Sequence, residues 1–170
     1  MQKVVLGFLL LVGSCMAIEL GKVPSIVTLE GDNGGSIDGK GWSSSMFKGK
    51  VHVVFYVDPD KKDLNENLTN ALKKRHFNRK NYASVAIINL GATWMPNVVL
   101  ESLLEKKQKK FPDTMYVKDK KKVLVDKWNL ADDNSDILIF DKKGKLIYKK
   151  FGKVSDTEIV EVLKLIEKNI

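Results

Sequence analysis

Seven residues in succession, Val51-His52-Val53-Val54-Phe55-Tyr56-Val57, constrain this chain more than any other stretch. β-Branched and aromatic side chains dominate the run, and Gly49 and Pro59 bound it. Side chains of a strand alternate between faces, so an apolar run of this kind predicts a strand buried on both, as in the middle of a parallel sheet. The loop that leaves it, Asp58-Pro59-Asp60-Lys61-Lys62-Asp63, feeds an apolar stripe of helical spacing made by Leu64, Leu68, Ala71 and Leu72. The opposite face of that helix is expected to carry Asn65, Glu66, Asn70, Lys73 and Lys74. A strand end opening onto a helix N-terminus is where α/β proteins place ligands and reactive groups. Here that place holds aspartate and lysine and no cysteine.

The remaining elements follow from periodicity and turn chemistry. A strand is expected over 26–29, turns or a small hairpin around Ser36-Ile37-Asp38, and a polar approach over 42–47. A second buried strand spans 82–90, and Asn97 can cap a helix over 98–110 that turns Leu100, Leu103 and Leu104 inward. Its final run, Lys106-Lys107-Gln108-Lys109-Lys110, complements the negative end of the helix dipole. A strand over 114–117 and a short helix over 120–130 precede a hairpin, 137–140 and 145–150, turned by Asp141-Lys142-Lys143-Gly144. Ser155-Asp156-Thr157-Glu158 is a capping box, opening a helix that buries Ile159, Val162, Leu163 and Ile166. A parallel βαβ unit closed by an antiparallel hairpin and a terminal helix predicts an α/β fold, a thioredoxin-like sandwich with a central mixed sheet flanked by helices.

The 170 residues, 44% hydrophobic and 29% charged, suit one globular domain. The formal charge of +8 comes from 27 lysines and only two arginines, Arg75 and Arg79. Sequence-specific recognition of nucleic acid favours the planar arginine fork, and a lysine surface is more often simply solvated, so no nucleic-acid partner is expected. The only cysteine is Cys15. It sits in a stretch with a charged start at Lys3, an apolar core over 4–12 and small residues up to Ala17, the pattern of a secretory signal peptide. Cleavage after Ala17 is expected to leave a periplasmic domain over 18–170 with net charge +7 and no thiol. The competing reading cuts before Cys15, as at a bacterial lipoprotein box, and leaves a lipid anchor there. The apolar run is too short to span a membrane.

Several stretches resemble the thioredoxin-like family that includes peroxiredoxins and periplasmic thiol reductases. They are Gly21-Lys22-Val23-Pro24 before the first strand, Phe47-Lys48-Gly49-Lys50-Val51 entering the central one, and Ile137-Leu138-Ile139-Phe140-Asp141-Lys142-Lys143-Gly144-Lys145. More narrowly, from about Leu20 onward the chain resembles the YtfJ family of exported bacterial thioredoxin-like proteins, through Gly49-Lys50-Val51, the helix start at Glu66-Asn67, and Trp128-Asn129-Leu130 before an acidic loop. The resemblance places the Cys-x-x-Cys of the redox-active thioredoxin-like members within 58–63, with Asp60-Lys61-Lys62-Asp63 the closest fit. It places the redox members' cis-proline at Ser135, in the loop Asp132-Asp133-Asn134-Ser135-Asp136. Neither aspartate nor lysine can form a mixed disulfide. A cis bond before a residue other than proline costs about 2.5–4 kcal/mol, so Asn134–Ser135 is expected to be trans. The resemblance therefore implies a redox-inactive module binding a protein or peptide at the degenerate face, with those loops rather than the 106–110 helix end as the docking surface.

Other chemistry has weaker support in the residues. The aspartates at 58, 60 and 63 and those at 132, 133 and 136 could converge as oxygen ligands for a hard cation, in a metal-dependent or other non-thiol enzyme. Against this, Asp60 and Asp63 can serve the helix N-terminus, and 132–136 reads as turn chemistry. His52 and His76 have no partner at metal-ligand spacing. No cofactor motif is present, and Ser43-Ser44-Ser45 lacks the context of a nucleophile elbow. Some members of the resembled family carry a regulator label, which the export signal and the absence of a helix-turn-helix oppose. Trp128 is expected in the core.

Overall fold

The computed structural model describes residues 17–170. The signal-peptide reading of 1–17, and Cys15 with it, lies almost wholly outside the described residues.

Val51–Val57 forms β4, and every one of its residues is buried. It lies inside a six-stranded sheet with Tyr82–Asn89 (β5) and Thr114–Asp119 (β6) parallel to it on one side. Ser135–Phe140 (β7) and Leu146–Phe151 (β8) follow antiparallel on the other side. Gly34–Ser36 (β2) closes the far edge against β6. A separate two-stranded ribbon pairs Thr28–Leu29 (β1) with Trp42–Ser43 (β3). The strand expected over 26–29 is thus shorter, and the polar approach to β4 contains a strand of its own. Gly34, expected in a turn, sits in a strand at φ +129, where an added Cβ would run into the Lys118 carbonyl.

The alternation of β4 divides the core. Val51, Val53, Phe55 and Val57 pack under the helices Glu66–Arg75 (α1) and Asp156–Asn169 (α4), against Leu68, Leu72, Ile159 and Val162. Val54 and Tyr56 face the other layer, where Phe47, Trp128 and Phe140 cluster with Leu124 of the short helix Val123–Trp128 (α3). Trp128 is fully buried and its indole N–H donates to the Ser25 carbonyl at 2.9 Å. Asn97–Lys110 (α2) begins at Asn97 itself, with Pro96 in the capping position, and covers β5 and β6 through Leu100 and Leu104. Leu103, expected inward, is 46% exposed, outside the cluster that Leu100 and Leu104 form with Ala86 and Tyr116 of the sheet. The capping box at Ser155 is formed in both directions.

The chain entering the domain is tied down. Ile18 is buried, its amide donates to the Trp128 carbonyl at 3.2 Å, and its carbonyl accepts from Lys149 Nζ. Gly21 and Lys22 then exchange backbone hydrogen bonds with Leu146, covering the start of edge strand β8.

Candidate functional site

The loop after β4 turns at once. Pro59–Lys61 is a 3-10 turn, capped by Asp58, whose Oδ1 accepts from the Asp60 amide at 2.8 Å. Asp58, and neither Asp60 nor Asp63, is therefore the capping carboxylate, because proline directly after it supplies the fixed φ of a first turn position. The Asp58 amide also donates to the Asn134 carbonyl at 2.8 Å, tying the loop to the one that faces it. Its side chain is 1% exposed, Oδ2 has no hydrogen-bond partner, and burial followed by contact with the Asp133 carboxyl raises its pKa. Asp60, Lys61, Lys62 and Asp63 face solvent, with Lys61 Nζ 4.0 Å from Asp133.

In the facing loop Asp132 accepts from Lys122 Nζ at 2.6 Å and from Asn89 Nδ2 at 2.9 Å, and the lysine leads in holding its carboxyl below the usual range. Asp133 is exposed, in the left-handed region at φ 54. Ser135 is buried at the start of β7, paired in register with Val57, and all described peptide bonds are trans. Asp136 is wholly buried. Its Oδ2 accepts from the Ala131 amide, Oδ1 has no partner, and burial pushes its pKa up to about 7. The structure thus joins Asp58 and Lys61 to Asp133, but diverts Asp132 to Lys122 and sinks Asp136 into the sheet. The backbone groups here are occupied: the Asn134 carbonyl by Asp58, the Ser135 amide by the Asn134 side chain, and the Ser135 carbonyl by Gly152 and Asn65.

Three residues escaped the sequence reading. Asn65, expected on the exposed face of α1, is 4% exposed. Standing at the N-cap, outside the helical period, it donates to Ser135 and the Gly152 carbonyl and accepts from the Val154 amide. Asn89 ends β5 beside Asp132. Asp119 ends β6, which runs past its expected stop at 117, and accepts from the Val123 and Leu124 amides and from the Tyr56 hydroxyl. An aspartate four residues before an apolar helical run was the available signal for Asp119. Burial, then the Asp119 charge, drives the Tyr56 pKa upward. Asp136, Tyr56, Asn89 and Asp119 form a polar row across the ends of four strands.

His52 lies in the core against Phe47, its Nδ1 3.0 Å from the Lys50 carbonyl, and burial lowers its pKa. His76 is exposed at the C-terminal end of α1. Among the described residues no three His, Cys, Asp or Glu side chains come together to hold a metal ion.

Beside the loop lies an open groove of about 320 Å³. Val57 and Ile88 line it with Pro59, and Leu100, Leu103 and Phe111 line it from the α2 side. Lys62, Lys106, Lys107 and Lys110 also line it, and no acidic side chain does. The degenerate loop and the lysine-rich end of α2, separate in sequence, border one depression.

A family model described as a bacterial protein of unknown function (YtfJ_HI0045) matches residues 26–169. A Haemophilus influenzae protein described as uncharacterized is 30% identical over 74% of this chain and 70% of its own length. The Escherichia coli protein YtfJ, also described as uncharacterized, is 26% identical over 76% and 72%. Among solved structures, the thioredoxin domain of a thiol-disulfide oxidoreductase from Bacteroides vulgatus superposes with a TM-score of 0.62, over 88% of this chain and 99% of that one, at 18% identity. That likeness establishes the thioredoxin-like fold.

Proposed function

We propose, on the premise that the chain belongs to the YtfJ_HI0045 family of bacterial proteins, that it works after export as a redox-inactive thioredoxin-like binding module. The module takes a protein or peptide at the face built from 58–63 and 132–136. One observation carries this reading: where β4 opens onto α1 the fold is intact, but the turn holds Asp58, Pro59, Asp60 and Lys61, and no cysteine follows Cys15. Disulfide exchange needs an attacking thiolate, and none exists in a chain cut after Ala17.

The purified exported protein is expected neither to reduce insulin disulfides nor to consume peroxide, and thiol reagents are expected to leave it unlabelled. Turnover in a cysteine-free preparation would overturn redox inactivity. Intact mass of protein made in a bacterium with a periplasm is expected to begin at Ile18. A mass beginning at diacylated Cys15 would put the domain on a membrane surface, and an unprocessed cytoplasmic chain would remove export altogether. A second reading, non-thiol acid–base or cation chemistry, draws support from the raised pKa of Asp58, which burial and the neighbouring Asp133 carboxyl push upward. A rise in Tm with millimolar calcium or magnesium, lost in Asp133→Asn, would favour that second reading.

A further inference from the structure

We infer that the groove between the Pro59 turn and α2 docks an acidic polypeptide segment carrying large apolar side chains on one face. The inference rests on the reading of the protein as a binding module, but moves the docked segment: the Pro59 turn stays as one wall, and the lysine-rich end of α2 replaces the 132–136 loop as the other. Leu103 is half exposed, and Val99, one helical turn before it on α2, is as open. Trp94, on the loop entering α2, is 89% exposed and adjoins the groove-lining Met95. Large apolar side chains left open in this way mark interaction surfaces, and tryptophan is a favoured anchor. From Leu100 to Lys110 the wall is about 15 Å long by helical rise, room for two to three turns of a docked helix or a short extended segment.

Charge selects among occupants. Lys62, Lys106 and Lys107 have no carboxylate within ion-pair distance among the described residues, and Lys110 lies over the Phe111 ring. Elsewhere on the same face Lys118 and Lys120 are both claimed by Glu101. Four cations around an apolar floor attract an anionic amphipath and repel a cationic one. A second copy using the same surface would bring eight lysines together across a two-fold axis. The chain's own residues 1–16 carry Lys3 and no acidic residue, so they do not complement the groove. A lipid tail would fill the cavity but leave Trp94 and Val99 uncovered, whereas a polypeptide reaches them.

A displayed library of random 16-residue peptides panned on the purified protein tests this. The expected winners carry Asp or Glu around large apolar residues spaced three or four apart. They are expected to bind at least tenfold more weakly to Leu103→Glu/Lys107→Glu and to Lys106→Glu/Lys110→Glu. Lys142→Glu/Lys143→Glu, which makes at the β7–β8 turn the same change in net charge as Lys106→Glu/Lys110→Glu and a larger one than Leu103→Glu/Lys107→Glu, serves as the control. Unchanged Tm would show that the variants fold. Winners that are basic or uncharged, or that bind the α2 variants as tightly as the parent, would overturn the inference. Winners lost only on Asp60→Lys/Lys61→Glu would overturn the groove and leave the binding module standing, and no winners at all would overturn both. Leu103-dependent binding of phosphatidylglycerol vesicles that displaces the peptides would assign the groove to lipid instead.

Discussion

Asp136 is a carboxyl group asked to live where water cannot reach it, with one of its two oxygens unpartnered. The unfolded chain gives up this proton near pH 4, as an ordinary aspartate does, whereas the folded chain keeps it to about 7. Between those values the folded state holds the extra proton. The stabilisation is therefore complete below about pH 4 and is lost as the pH rises through 7. Asp58, also raised, acts in the same direction. Asp136→Asn should flatten the decline, narrowing the gap in Tm between pH 5 and pH 8 by about 5 °C, at a few degrees per kcal/mol for a domain this size. An equally steep decline in the variant would place the buried proton elsewhere. That Asp136 belongs to the interior was not legible in 131–136, which reads as turn. Its burial, like that of Asn65, is decided by partners 70 or more residues away along the chain or by strands on either side.

Elements were legible to the degree that their own residues determine them. The β-branched and aromatic run of β4 and the capping box of α4 are local signals, and both are realised. The outward Leu103 shows the limit: helical period tells which residues share a stripe, not which of them the fold covers. α3 is the opposite case, six residues that no intrinsic propensity could hold as a helix. Its first turn hangs on Asp119, which accepts from the Val123 and Leu124 amides and from Tyr56. Asp119→Ala would strand those donors, and should destabilise by about 3 kcal/mol. The urea midpoint measures this, with loss of the near-ultraviolet signal of Trp128 as the local readout. A change below about 1 kcal/mol would mean that α3 is held by Leu124 and Trp128 alone.

At the scale of the molecule, the two margins of the sheet are both guarded, though neither is covered along its whole length. One is β2, three residues long with Gly34 and Gly35 at positive φ. The other is β8, whose start is paired by Gly21 and Lys22 and whose exposed stretch carries Lys149 and Lys150. Removing residues 18–22 from the processed protein should lower Tm by several degrees and, by baring β8, raise the fraction of dimer and larger species in size-exclusion chromatography. Unchanged Tm and elution would show that the segment merely lies there. The guarded margins also bear on what kind of reader this protein is. Strand addition recognises a backbone, which every polypeptide shares, and the loop carbonyls that could have done the same are already taken. What is left to read is side-chain identity, so discrimination between partners should be sharp, and a single charge reversal in a partner should be enough to silence it.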